Sequence, residues 1–119
     1  MFSPEYRRQE AAVRKAVSAW VSENGYERPL PTVTDIAADI GVPEAQLNRF
    51  IRSWYDKGVL SWRKELRIEE AKRLLLSLPD VPVSEIGRLV GIEDKSNFRK
   101  QFTELVRMSP RAWREEHGL

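Results

Sequence analysis

The chain contains no cysteine, which excludes a disulfide framework and a thiolate zinc site and fits a reducing compartment. No apolar run approaches the roughly 20 residues needed to span a bilayer, and no apolar signal core opens the N-terminus. A cytoplasmic location is therefore expected, with no direct membrane contact from this segment. Histidine occurs once, at His117 beside the C-terminus, a poor basis for a metal site or a general base. There is no P-loop, no GxGxxG and no paired-carboxylate arrangement. Ser84 and Glu85 read as the start of a short helix rather than as a hydrolase pair. Neither an enzyme nor a cofactor is indicated. Charge of one sign is also lacking: Lys and Arg number 20 against 18 Asp and Glu, a net +2. Bulk charge thus gives no nucleic-acid signal, and only the placement of charge can. Strand patterns of useful length and low-complexity segments are absent too.

What is present is helical. Residues 61–78, SWRKELRIEEAKRLLLSL, contain no Gly or Pro and are dense in strong helix formers. Ile68, Ala71, Leu75 and Leu78 recur on one face with Leu74 beside them, while Trp62 and Leu66 form an adjoining strip. That face predicts burial of all four residues, and Glu69 before Arg73 predicts a surface ion pair.

Related sequences flank this helix. Residues 32–42 read TVTDIAADIGV and residues 82–92 read PVSEIGRLVGI, both fitting V-[ST]-[DE]-I-[AG]-x-x-[IV]-G-[VI] at an offset of fifty. The second copy carries one extra residue after its glycine, so Leu47 corresponds to Phe98 and Ile51 to Phe102. Two copies are too few for a solenoid. A chain of 119 residues is one domain's worth, or two very small ones sharing an element. The expected organisation is residues 4–60, a connecting helix at 61–78, and residues 79–119.

Ser3-Pro4 is a good helix start, followed by a stripe of Val13, Ala16, Val17, Trp20 and Val21. Asn24-Gly25 supplies a stop, with Gly25 expected to take the left-handed conformation. Residues 28–31, RPLP, form an extended connector. Thr32 and Asp35 make a capping-box-like start for a short helix ending near Gly41. A helix from Glu44 to Tyr55 comes next: short helix, glycine turn, longer helix. The pattern returns as 83–90, a turn at Gly91, and 94–105. Ser109-Pro110 opens a last helix to about Glu116. The fold class is all-α: two helix-turn-helix subdomains joined by a long central helix, about seven helices in all.

Placed on a wheel, Leu47, Phe50, Ile51 and Trp54 lie on the inner side of the helix at 44–55. Ala45, Asn48, Arg49 and Arg52 lie opposite. In the second copy Phe98, Phe102 and Leu105 point inward, while Ser96, Arg99, Lys100 and Thr103 point out. Small, hydrogen-bonding and cationic side chains in one repeated register suit a DNA major groove. There Arg forks onto guanine, Asn onto adenine, and cations neutralise phosphate. A solvated, charged helix face is the plainer reading for either helix alone; the repetition of register argues against it. The four tryptophans, at helical spacing among aliphatics, read as core or cover rather than as base-stacking platforms.

With these motifs in view, the chain resembles the DNA-binding domain of the AraC/XylS family of bacterial transcription regulators. VTDIAADIGV, LNRFIR, LRIEEAKRLLL, VSEIGRLVGIEDKSNFRKQF and MSPRAW carry the likeness, which spans about Val13 to Glu115. The resemblance implies recognition helices in successive major grooves of double-stranded DNA, and regulation of transcription with activation as the expected direction. Matched by motif, the base-reading candidates are Ala45, Asn48 and Arg49, with Gln46 and Arg52 nearby as further DNA-binding candidates, then Lys95, Ser96, Arg99 and Lys100. Thr32 and Ser109 become candidate phosphate contacts. The likeness also implies a signal-receiving part upstream in a longer protein and leaves RNA polymerase open as a second partner. Pro43, Glu93-Asp94, Ile92 and Arg107 depart from the usual pattern, and the segment between Gly58 and Arg67 is about two residues short. A helical protein-interaction module docking a transcription partner is the alternative.

Overall fold

The computed structural model describes residues 3–118. Among them are seven α-helices, one 3-10 turn and no strand, in the expected all-α class. None of these helices is long and apolar enough to cross a membrane. The chain divides into two compact units, one ending at Arg63 and the other beginning at Lys64.

The first unit holds α1 (Pro4–Ser22), the 3-10 turn (Gly25–Glu27), α2 (Val33–Ile40), α3 (Glu44–Tyr55) and the start of α4 (Val59–Ser77). Ser3 caps α1 by accepting the Tyr6 N–H at 3.1 Å, and Pro4 occupies its first turn. Val13, Val17 and Trp20 are buried against Ile36, Leu47, Phe50 and Ile51, with Val59 and Trp62 completing this core. Trp20 stacks on Trp62 with centroids 5.7 Å apart. After α1 the structure corrects the sequence reading. Asn24, not Gly25, takes the left-handed conformation, at φ 58°, where its side chain accepts the Tyr26 hydroxyl at 3.0 Å. Gly25 is needed for space instead, because a Cβ there would lie 2.3 Å from Trp20 Nε1.

The Trp20 indole N–H donates to Asp39 Oδ2 at 2.7 Å, and Arg28 reaches the same oxygen at 2.6 Å. These bonds, the indole's first, hold the Asp39 carboxyl below its ordinary 3.8. A carboxylate with a depressed folded pKa adds stability above the unfolded value and loses it as pH falls through the folded value. Asp39→Asn should therefore cost up to about 1 kcal/mol at neutral pH, partial exposure limiting the loss. The gap to wild type should close as pH drops below 3.8. Urea melts between neutral pH and about pH 2 test this, and a gap independent of pH would contradict it. Arg63, its guanidinium pKa lowered by burial, donates to the Leu30 carbonyl and ties the connector to α4.

The second unit holds the rest of α4, α5 (Val83–Leu89), α6 (Lys95–Val106) and α7 (Pro110–His117). Ile68, Ala71 and Leu75 are buried with Ile86, Val90, Ile92, Phe98, Phe102 and Trp113. Leu78 is the exception to the expected face. It is 36% exposed, because α4 ends at Ser77 and the chain turns away. Arg114 crosses to this end and donates to the carbonyls of Leu75 (2.9 Å) and Leu78 (3.1 Å). The guanidinium satisfies the Leu75 carbonyl at the end of α4 and adds a donor to the Leu78 carbonyl, which also takes the Val81 N–H at 3.1 Å. Where the sequence pairs Glu69 with Arg73, the structure shows two i,i+3 pairs. Glu69 meets Lys72 at 3.3 Å, and Glu70 meets Arg73 at 2.5 Å.

Leu105 also departs from expectation, at 40% exposed. The inner face of α6 is centred on Phe98 and Phe102 and continues to Val106, which packs on the core. That rotation leaves Leu105 at the edge.

Candidate nucleic-acid interface

Each glycine turn is built the same way. Gly41 and Gly91 have φ values of 91° and 95°, a conformation only glycine takes without steric cost. The next residue folds back onto the preceding helix: the Val42 N–H reaches the Ala37 carbonyl at 3.1 Å, and the Ile92 N–H reaches Gly87 at 2.8 Å. This six-residue closure aims the following helix. In the first turn the Ala37 carbonyl also takes the Gly41 N–H at 2.8 Å, whereas in the second the Gly91 N–H goes to Arg88 at 3.0 Å. The sequence duplication is thus a duplication of turn geometry.

Beyond the turns, Ala45, Asn48, Arg49 and Arg52 of α3 are exposed and Gln46 is half-buried. Lys95, Ser96, Arg99, Lys100 and Thr103 of α6 are exposed as well. Ala45, Asn48, Arg49 and Arg52 share the face opposite the buried Leu47, Phe50 and Ile51 of α3, and Ser96, Arg99, Lys100 and Thr103 the face away from the buried Phe98 and Phe102 of α6. Gln46 stands at the flank of its face, and Lys95, three residues before Phe98, starts α6 on the buried stripe. Trp54, grouped with the inner face by its spacing, is 51% exposed. Its indole N–H finds Glu10 at 3.1 Å and the Arg14 guanidinium lies 4.8 Å from its ring, so it covers the α1–α3 seam. An indole N–H needs such a polar partner, which keeps one end of the ring wet. Trp20, Trp62 and Trp113 are buried.

The helix entrances differ. Pro43 precedes α3 without a side-chain cap, and Glu44 accepts the Thr34 hydroxyl at 3.0 Å. Asp94 caps α6 through the Asn97 N–H at 2.7 Å, so this carboxylate is engaged by its own helix. Thr32 completes a capping box: its hydroxyl accepts the Asp35 N–H at 3.1 Å and donates to the Asp35 carboxylate at 2.7 Å, which also takes the Thr32 N–H at 3.2 Å. A phosphate at Thr32 has to compete with these bonds. Ser109 caps α7 by accepting the Ala112 N–H at 3.0 Å. Ser109, Ser84, Arg99 and Arg111 line one cleft beside the starts of α5 and α7. Arg111 and Ser84 were not among the sequence candidates. Arg111 was within reach, as a cation two residues past a Ser-Pro helix start.

A family model described as a helix-turn-helix domain matches residues 36–116. The chain belongs to the AraC-type helix-turn-helix family. It is 33% identical over 82 residues to the arabinose operon regulatory protein of Salmonella typhimurium, covering 69% of this chain and 29% of that protein. The chain thus spans under a third of the length of the curated relatives it matches. Among solved structures, an AraC-type regulator from Chromobacterium violaceum superposes with a TM-score of 0.72 at 22% identity, covering 96% of each chain. The DNA-binding domain of AdpA, solved with a target DNA, superposes with a TM-score of 0.73 at 24% identity over 88% of this chain and 91% of that one. These likenesses establish the AraC-type fold.

Where the AraC-type pattern has glycine before MSP, this chain has Arg107, and Arg107 adopts the left-handed conformation at φ 69° as the C-cap of α6. The departure alters the residue and keeps the backbone.

Proposed function

We propose that this AraC-type chain binds double-stranded DNA sequence-specifically and regulates transcription, with α3 and α6 as its two recognition helices. The observation that carries the reading is the exposed face of small, amide and cationic side chains repeated after two glycine turns of the same geometry. Arg and Asn match guanine and adenine edges, and Lys and Arg match phosphates. The relatives point the same way: one is an operon regulatory protein and another domain was solved on its target DNA. The base-reading set is Ala45, Asn48, Arg49, Lys95, Ser96, Arg99 and Lys100, with Gln46 and Arg52 nearby as further DNA-binding residues. Ser109 and, more weakly, Thr32 face phosphate. In a longer cytoplasmic protein, an upstream part would receive the signal and RNA polymerase would be the second partner, with activation as the outcome.

A mobility shift on a duplex library at several salt concentrations tests the proposal. Specific binding with steep salt dependence supports it. Footprinting should show two successive major grooves protected per monomer, about 10–10.5 bp apart, without need of a palindrome. Binding that is absent, or equal on all duplexes, would favour a protein-docking module instead.

Lys100 separates reading from holding. An ammonium is a point charge and suits phosphate better than a base fork. Lys100→Ala should weaken all duplexes alike and reduce the slope of log K against log salt by about one. A loss confined to the preferred sequence would instead make Lys100 a base reader.

A further inference from the structure

Helix α1 supplies none of the reading candidates, yet its first turns touch one of them. The Arg49 guanidinium carbon lies 5.3 Å from the centre of the Tyr6 ring. The backbone that carries Tyr6 is fixed, since Ser3 accepts its N–H and Pro4 sets the helix start. The contact belongs to a row. Tyr6, Glu10 and Arg14 stand four apart on one stripe of α1, and the latter two hold Trp54 through its N–H and its ring. Trp54 in turn packs on the buried Phe50, with centroids 5.8 Å apart. The α1 stripe is thus latched to the far end of α3 by Trp54 and to its reading face by Arg49. Among the described residues no ring lies beneath Lys100, the residue equivalent to Arg49 in α6.

Resting on the DNA-binding reading, we propose that Tyr6 is a positioning residue for Arg49, so that a helix outside the helix-turn-helix sets the base preference of the first recognition helix. An exposed arginine samples many rotamers and must give them up when it forks onto a base. A cation–π contact restricts that sampling beforehand and requires none of the five guanidinium N–H donors. The donors remain for guanine O6 and N7.

The test uses the whole chain as wild type, Tyr6→Ala, Tyr6→Leu, Tyr6→Phe, Arg49→Ala and the Tyr6→Ala/Arg49→Ala double variant. Each is checked for folding by circular dichroism and titrated against duplexes varied one base pair at a time. Tyr6→Ala should raise Kd on the preferred duplex about two- to five-fold. It should also flatten preference at the same base pair that Arg49→Ala flattens. Tyr6→Leu, which keeps apolar bulk without the π face, should do likewise, and Tyr6→Phe should match wild type. In the Arg49→Ala background Tyr6→Ala should add nothing. An equal loss in that background, a wild-type-like Tyr6→Leu, or tighter binding by Tyr6→Ala would overturn the proposal. If Tyr6→Ala does not fold, the Leu and Phe variants decide it. Wild type without sequence preference would remove the DNA-binding reading itself; wild type that discriminates while the Tyr6 variants stay silent would remove only the role of Tyr6.

Discussion

Arg49→Ala should cost about 1–3 kcal/mol on the preferred duplex and relax discrimination at one base pair, while binding to scrambled DNA falls much less. The guanidinium is exposed on α3 beside Asn48 and Arg52 and is steadied by the Tyr6 ring. From there it can present two parallel N–H donors to guanine. Arg49→Lys should not rescue, because an ammonium has no planar fork and stacks less well. Titrations of wild type, Arg49→Ala and Arg49→Lys on specific and scrambled duplexes, at several salt concentrations, read both effects. If Arg49→Ala left specific binding unchanged, the reading face of α3 would have to be placed elsewhere.

Gly87→Ala should destabilise the second unit by about 1–2 kcal/mol, even though alanine is the better helix former by about 1 kcal/mol. A Cβ at Gly87 would lie 2.7 Å from Phe98 Cγ, 2.8 Å from Cδ2 and 3.0 Å from its Cβ. Those are inner atoms of a buried aromatic side chain rather than a flexible tip, so backbone must move. The first unit resolves the same helix crossing differently, with Ala37 and Leu47 at the equivalent buried positions. Phe98→Ala, which removes the Cγ and Cδ2 atoms that the methyl would strike, should alone cost about 3–5 kcal/mol through the void it leaves. Combined with Gly87→Ala, it should cost clearly less than the sum, since the added methyl occupies part of that void. Urea unfolding of the four proteins measures the coupling. Strict additivity would show that the two positions do not sense one another.

Much of this was written locally. Thr32 with Asp35, Ser3 with Pro4, and Ser109 with Pro110 start helices where their side chains can reach N–H groups three residues ahead. Gly41 and Gly91 end helices because their turns need positive φ. The apolar periodicity placed Leu47, Ile51, Phe98 and Phe102 inside and, by subtraction, placed the cationic and amide faces of α3 and α6 outside. Local rules misplaced residues where a distant partner decides. Gly25 is small because Trp20 lies against it, and Trp54 stays half in water because Glu10 and Arg14 receive it.

By itself, then, the sequence determined the helices, their caps, the two glycine turns and the register of the two exposed faces. Each depends on hydrogen bonds or periodicities spanning a few residues. The tertiary structure alone decided which carboxylate pairs with Trp20 and Arg28, which aromatic ring sits under Arg49, and which small residue faces Phe98. Those contacts join residues 11 to 43 positions apart, from Arg28 with Asp39 to Tyr6 with Arg49. At such separations the angle and distance between packed helices, rather than local pattern, set what meets what.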